Sequence, residues 1–162
     1  MSQFRVEKRR VGAELTLASG LRREGHFFLA ASGPAQAGPE RVADLLNAGP
    51  GFFPFDTVSR VGPDTLLINR AHVVCVRLTD RAEEARLDAG YEVATERHVQ
   101  MVLSNGLRLR GAVRVHRPEG RDRLSDYTRS PLIFRYLEAD DATFVVNFDH
   151  VVELTEETGA GD

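Results

Sequence analysis

Cysteine, tryptophan and lysine are almost missing from this chain. Of its 162 residues one is Cys, two are Met and none is Trp. A lone thiol, Cys75, excludes an internal disulfide and any metal site built from several cysteines. Lys8 is the sole lysine among 21 basic residues, a bias toward Arg that fits a GC-rich genome better than a selected phosphate surface. No apolar run approaches the roughly 18 residues that cross a bilayer, and the opening Met1-Ser-Gln-Phe-Arg has no apolar secretion core. The expectation is a cytoplasmic protein with no membrane partner.

Catalytic signatures are missing too. The five His residues show no metal-ligand spacing and have no thiol beside them, and Asp149 before His150 is the one adjacent acid. Neither a phosphate loop nor a dinucleotide fingerprint occurs. Cys75 lies in an apolar strand pattern and reads as a small hydrophobe. The sequence therefore points to no enzyme, no cofactor and no metal.

Charge is close to balanced, at −3, but unevenly spread. Between Asn105 and Arg135 eight Arg face three acids, whereas from Leu137 onward there are eight acids and no Lys or Arg. Such a split either steers a partner or folds back on itself within one barrel.

The strongest signal is an internal repeat. Leu17-Ala-Ser-Gly-Leu-Arg-Arg-Glu-Gly25 recurs as Leu103-Ser-Asn-Gly-Leu-Arg-Leu-Arg-Gly111. Arg41-Val-Ala-Asp-Leu45 recurs as Arg123-Leu-Ser-Asp-Tyr127, and Thr65–Val74 recurs as Thr143–Val152. Phe4-Arg-Val6 and Tyr91-Glu-Val93 open the two stretches alike. The order is the same each time, so the chain reads as two diverged copies of one domain. The expected organisation is repeat 1 over residues 1–80, a helical linker over 81–90, repeat 2 over 91–157 and a disordered tail over 158–162.

Both copies carry the same local code. Ala13, Leu15 and Leu17, like Val99, Met101 and Leu103, alternate with polar residues and predict a half-buried strand. Ser19-Gly20 and Asn105-Gly106 predict tight hairpin turns. Gly25 and Gly111, inside the second strand, predict a sharp bend. Pro39–Asn47 and Arg121–Arg129 predict short helices. Phe52–Ser59, Thr65–Asn69 and His72–Leu78 complete the first copy as strands, matched by Ile133–Glu138, Thr143–Asn147 and His150–Leu154. The predicted fold is mainly β with short helices: two tandem five-stranded antiparallel barrels, each with a helical insertion between strands 2 and 3.

An apolar strand, Asn105-Gly106, Gly111 five residues on, and a late apolar strand leading by a tight turn into Val-Val together resemble the Sm-like fold of the spliceosomal Sm proteins and bacterial Hfq. Arg41…Asp44-Leu-Leu-Asn47 followed by Phe-Phe-Pro-Phe is similar to uncharacterised bacterial Sm-like domains. The resemblance implies association through open edge strands, either between the two copies or in a ring across chains. It also implies RNA contacts in the loop between strands 2 and 3 and in the turn between strands 4 and 5. Here a helix replaces the first of these, and the second reads Asn69-Arg70-Ala71-His72 and Asn147-Phe148-Asp149-His150, where Asp149 would repel a phosphate.

Two groups of residues are candidate sites. Arg108, Arg110, Arg114, His116 and Arg117 form a basic stripe, with alternate Arg on one strand face roughly 7 Å apart, near the spacing of phosphates. The matching first-copy positions, Arg22, Glu24, His26 and Phe28, do not repeat that charge. Asn69, Arg70, His72, Asn147 and His150 form the second group. Asn and His can contact a ligand, but they also suit a tight turn, Asn by adopting a left-handed conformation and bonding its own backbone. Arg41 with Asp44, and Arg123 with Asp126, have the spacing of a helical ion pair. The functional expectation is a non-enzymatic protein-binding adaptor or assembly module of the bacterial cytoplasm, with single-stranded RNA binding as the alternative.

Overall fold

A computed structural model of the chain describes residues 8–30, 39–59, 61–79, 91–115 and 123–157. The expected start at Phe4–Val6, the linker and the tail lie outside these residues. Among the described residues ten strands and two short α-helices follow one another in two matching series. The first series is β1 (Lys8–Leu17), β2 (Arg22–Ala30), α1 (Val42–Leu46), β3 (Phe52–Ser59), β4 (Gly62–Asn69) and β5 (Val73–Leu78). The second is β6 (Thr95–Leu103), β7 (Arg108–Val115), α2 (Leu124–Thr128), β8 (Phe134–Glu138), β9 (Thr143–Asn147) and β10 (Val151–Glu156). Each helix stands between the second and third strands of its series, and both are shorter than the sequence signals implied. Tyr91–Val93, which opens the second copy, forms a 3₁₀ turn ahead of β6.

Mainly β structure is what the alternating pattern calls for. The hairpin turns also form as expected, with Gly20 at φ 91° and Gly106 at φ 86°, the left-handed region where a Cβ is costly. Gly25 and Gly111 serve a different purpose. A Cβ on Gly25 would run into the carbonyl of Asp56, and one on Gly111 into that of Glu138. At these points β2 and β7 come close to β3 and β8, with which they pair over short stretches, Gly25↔Thr57 with His26↔Asp56, and Ala112↔Glu138.

Two closed barrels are not what the strands form. They make one open antiparallel sheet in the order β10-β6-β7-β8-β9-β5-β1-β2-β3-β4. The link is β5 with β9, registered Cys75↔Val146, Val76↔Val145 and Arg77↔Phe144. The physical reason lies in the side chains of β5. Val73, Val74, Cys75 and Val76 are all buried, so both faces of this strand need cover. Val76 packs in the first half's core, while Val74 and Cys75 pack in the second's. In return, Phe134 and Val145 of the second half complete the core around Phe27, Phe53 and Phe55. Among the described strands, β4 and β10 stand at the two ends of the sheet.

Candidate partner-binding site

Of the Asn and His residues, Asn147 and His150 reach across the seam between the halves, and Asn69 and His72 stand at the corresponding turn of the first half. Asn69 and Asn147 each precede a 3₁₀ turn and hold it through the side-chain oxygen, which accepts from Ala71 N–H at 3.1 Å and from Asp149 N–H at 2.9 Å. The turn role expected for Asn is met without a left-handed residue. Both Asn stay extended, and no non-glycine residue among the described residues has positive φ. Asn147 does more than hold its turn. Its buried amide donates across the seam to the Val73 carbonyl at 2.9 Å.

His150 crosses the same seam. Its Nε2 lies 2.9 Å from the Ala71 carbonyl and its Nδ1 lies 2.7 Å from the Ser104 hydroxyl. A carbonyl only accepts, so Nε2 carries the proton, and in the neutral ring Nδ1 accepts from Ser104. The sequence reading missed this Ser–His contact because 46 residues separate the partners. A neutral backbone carbonyl stands where a carboxylate would stabilise an imidazolium, and the His150 ring links Ser104 to Ala71 across the seam. His72 and Arg70 stand at the corresponding turn of the first half. Arg70 donates to the Leu45 carbonyl at 3.0 Å and to the Phe52 carbonyl at 2.9 Å, which ties α1 to the start of β3.

One seam residue carried no expectation beyond ending a helix. Asn47, just after α1, donates to the Phe134 carbonyl at 2.8 Å and accepts the Phe134 N–H at 2.9 Å, acting as a short strand for β8. Asn47→Ala leaves both groups of a buried residue without these partners. The expected loss is about 2 kcal/mol of unfolding free energy, read as a lower urea midpoint at unchanged slope. An unchanged midpoint would show that water replaces both bonds at no cost.

Two of the five residues of the basic stripe, Arg110 and Arg114, meet acids. Arg114 lies 4.1 Å over the Tyr91 ring, donates to the Tyr91 hydroxyl at 2.8 Å, and sits 3.4 Å from Glu96 and 3.6 Å from Glu138. Arg110 pairs with Glu157 at 2.7 Å. Arg108 is exposed. His116 and Arg117 lie outside the described residues. The acidic C-terminal stretch thus folds back on the Arg strand, the alternative the charge split left open. Tyr91 is the residue that sequence reasoning missed in this cluster. The helix pair Arg41–Asp44 forms at 3.1 Å, whereas Asp126 accepts the backbone N–H of Arg123 at 3.3 Å.

Arg135 is the second unforeseen residue. Only 8% exposed, it donates to the carbonyls of Tyr127, Ser130 and Leu132, with its guanidinium 4.7 Å from the Tyr127 ring centre and 4.0 Å from that of Phe148. Burial lowers its pKa from the usual Arg value, while the neighbouring Tyr127 opposes that shift. Burial also pushes the Tyr127 phenol up to about 12, so it stays protonated at neutral pH. Cys75 is buried, and that burial raises its thiol pKa despite a hydrogen bond with Thr16 and the nearby Arg22 charge, which suits packing rather than attack.

Arg135 also lines a groove of about 390 Å³ beside β10, with Thr128, Ile133, Phe148, Val151, Val152 and Leu154. Leu132 and Ile133 at its rim are exposed, as is Val152 at 65%. At the opposite end of the sheet Phe52 and Leu67 are exposed at 61% and 69%. No helix among the described residues is long and apolar enough to cross a membrane. No group of three or more His, Cys, Asp or Glu among the described residues could hold a metal ion. No protein-family model matches the chain, and neither does any curated protein or solved structure.

Proposed function

We propose that the chain is a non-enzymatic binding and assembly module of the bacterial cytoplasm, made of two diverged copies of one Sm-like β unit, residues 1–80 and 91–157. Support for the duplication comes from three ordered sequence blocks and from the matching strand order, β5-β1-β2-β3-β4 and β10-β6-β7-β8-β9. The observation that carries the functional reading is the exposed apolar side chains at the two ends of the sheet, Phe52 and Leu67 beside β4 and Leu132, Ile133 and Val152 beside β10. Exposed Phe, Leu and Val favour a protein partner over water.

Single-stranded RNA is the second reading, favoured by exposed Arg108 and Arg110 on one strand. Carboxylates at Arg110 and Arg114 weaken it, since a phosphate would have to displace them. Crosslinking the protein in its native lysate, with and without nuclease, separates the two. Protein adducts that survive nuclease are expected. Adducts that vanish with nuclease, together with low-salt RNA binding weakened by Arg108→Ala and Arg110→Ala, would replace the protein-binding reading with RNA.

A further inference from the structure

Among the described residues Arg135 is a buried cation without a carboxylate partner. Arg41, Arg77, Arg97, Arg110 and Arg114 each meet a carboxylate, and each keeps more contact with solvent than Arg135 does. Arg135 meets three main-chain carbonyls and two rings instead. A buried charge is costly unless a counter-charge is brought to it. The lowered pKa of this guanidinium has that origin, the loss of solvent.

Capping α2 does not require the cost, because the first half caps its helix by the same chemistry from another place. Arg70 donates to the Leu45 carbonyl at 3.0 Å, as Arg135 does to the carbonyl of Tyr127, the residue that matches Leu45 in the repeat. Arg70 lies 5.7 Å from the Phe53 ring centre, and Arg135 lies 4.0 Å from that of Phe148. The pairings Phe52↔Asn69 and Phe134↔Asn147 make Phe53 the counterpart of Arg135 and Arg70 that of Phe148, so cation and ring have changed places. Arg70 stands half-buried on the turn before β5, where water reaches it. In the second half the cation stands on β8 instead, in the wall of the groove beside β10. Both arrangements cap the helix and stack on a ring, so neither need accounts for burying the charge at the groove.

A ligand does account for it. Arg135 spends three of the five N–H groups of a guanidinium on carbonyls, which leaves two for a further acceptor. Ile133, Val152 and Leu154 give the same groove apolar walls, and Thr128 and Ser130 add hydroxyls. Its volume of about 390 Å³ suits a small ligand or the end of a chain. We propose that this groove holds the C-terminus of a partner polypeptide, with the terminal carboxylate on Arg135 and an apolar last side chain against Ile133, Val152 and Leu154. This rests on the protein-binding reading above and names the feature of the partner that is bound.

A carboxylate brings the missing counter-charge and the planar pair of acceptors that a guanidinium fits. A chain end carries that carboxylate, an apolar side chain and an amide N–H within one residue. These match the cation, the apolar walls and the exposed Asp149 carboxylate that the groove sets close together. A fatty acid would leave Asp149 and the hydroxyls unmet, and an internal Asp or Glu would have to thread chain through the groove on both sides. Asp149, with Glu153 on β10, also favours basic residues ahead of the last one and repels acidic ones.

Fluorescence anisotropy on the purified full chain tests this. The probes are labelled Lys-Ala-Lys-Ala peptides extended by Val, Leu or Phe, each with a free carboxylate and as the C-terminal amide. The acids are expected to bind, and the amides to bind about tenfold or more weakly. Arg135→Phe, which installs the first-half residue, is expected to bind acid and amide alike. Val152→Glu changes an exposed wall residue, so its urea midpoint is expected to stay near wild type while acid binding falls about tenfold. Equal binding of acid and amide by the wild type overturns the site, as does the failure of every acid peptide to bind. Unchanged acid binding by folded Val152→Glu overturns it too. Decanoate that binds more tightly than every acid peptide would replace the polypeptide with a small apolar acid. Peptides that fail while nuclease-resistant protein adducts persist in native lysate would remove the groove and leave the protein-binding reading standing. Failure of peptides and adducts together removes both.

Discussion

Gly25→Ala is expected to cost about 3 kcal/mol, since the added methyl meets backbone rather than a side chain that could turn away. The Asp56 carbonyl lies in its path and the Phe55 ring lies on the same side. Relief would require β2 to lift from β3, yet that contact brings Phe27 to 5.6 Å from Phe53 and 5.1 Å from Phe55. At about 2–4 °C per kcal/mol for a chain of this size, the melting temperature should fall by roughly 10 °C. Gly20→Ala is the control. It has open space around it and strains only the left-handed backbone, at about 1 kcal/mol. Equal losses at the two positions would mean that β2 and β3 do not come this close in solution.

Arg135→Ala is the second large effect, also about 3 kcal/mol. It strips donors from three carbonyls at the end of α2 and leaves a gap between the Tyr127 and Phe148 rings. Lys retains the charge but cannot span three acceptors or stack as a plane, so Arg135→Lys is expected to recover less than half of the loss. Arg135→Phe installs the residue found at the matching place in the first half, Phe53. It separates ring packing from hydrogen bonding, and stability close to wild type would assign the site to packing alone. Guanidinium chloride midpoints of the three variants measure this.

The parts of the fold most open to sequence reading were those fixed by backbone sterics. Ser19-Gly20 and Asn105-Gly106 announce their turns because few residues tolerate the required φ. Gly25 and Gly111 announce a bend because only hydrogen fits beneath the neighbouring carbonyl. The sheet that joins the halves left a fainter mark. Val73-Val74-Cys75-Val76 is an unbroken apolar run, whereas Glu153 interrupts Val151-Val152-Glu153-Leu154, and that contrast separates a strand buried on both faces from one that is not. Read as one strand type used twice, the two runs predict separate barrels.

The site was less legible because its residues act across long separations. Asn69, His72, Asn147 and His150 were visible as shared turn residues, but nothing local says that one pair spans a seam. An Arg within Ile133-Phe-Arg-Tyr136 reads as a surface charge on a strand, and only the three carbonyls at the end of α2 explain its burial. The basic stripe was readable as charge, yet its neutralisation depends on Glu96, Glu138 and Glu157 arriving from three other segments.

The shared core also constrains how the chain can come into being. Phe134 and Val145 finish the core that Phe27 and Phe53 begin, so the amino-terminal half leaves the ribosome before the residues that seal it exist. Until then β5 presents an uncovered apolar face and an unpaired edge, which makes the nascent half a target for chaperones and for mispairing between neighbouring polysomes. A fragment ending at Leu78 would lack Phe134 and Val145, and it is expected to bind an apolar dye that the full chain does not.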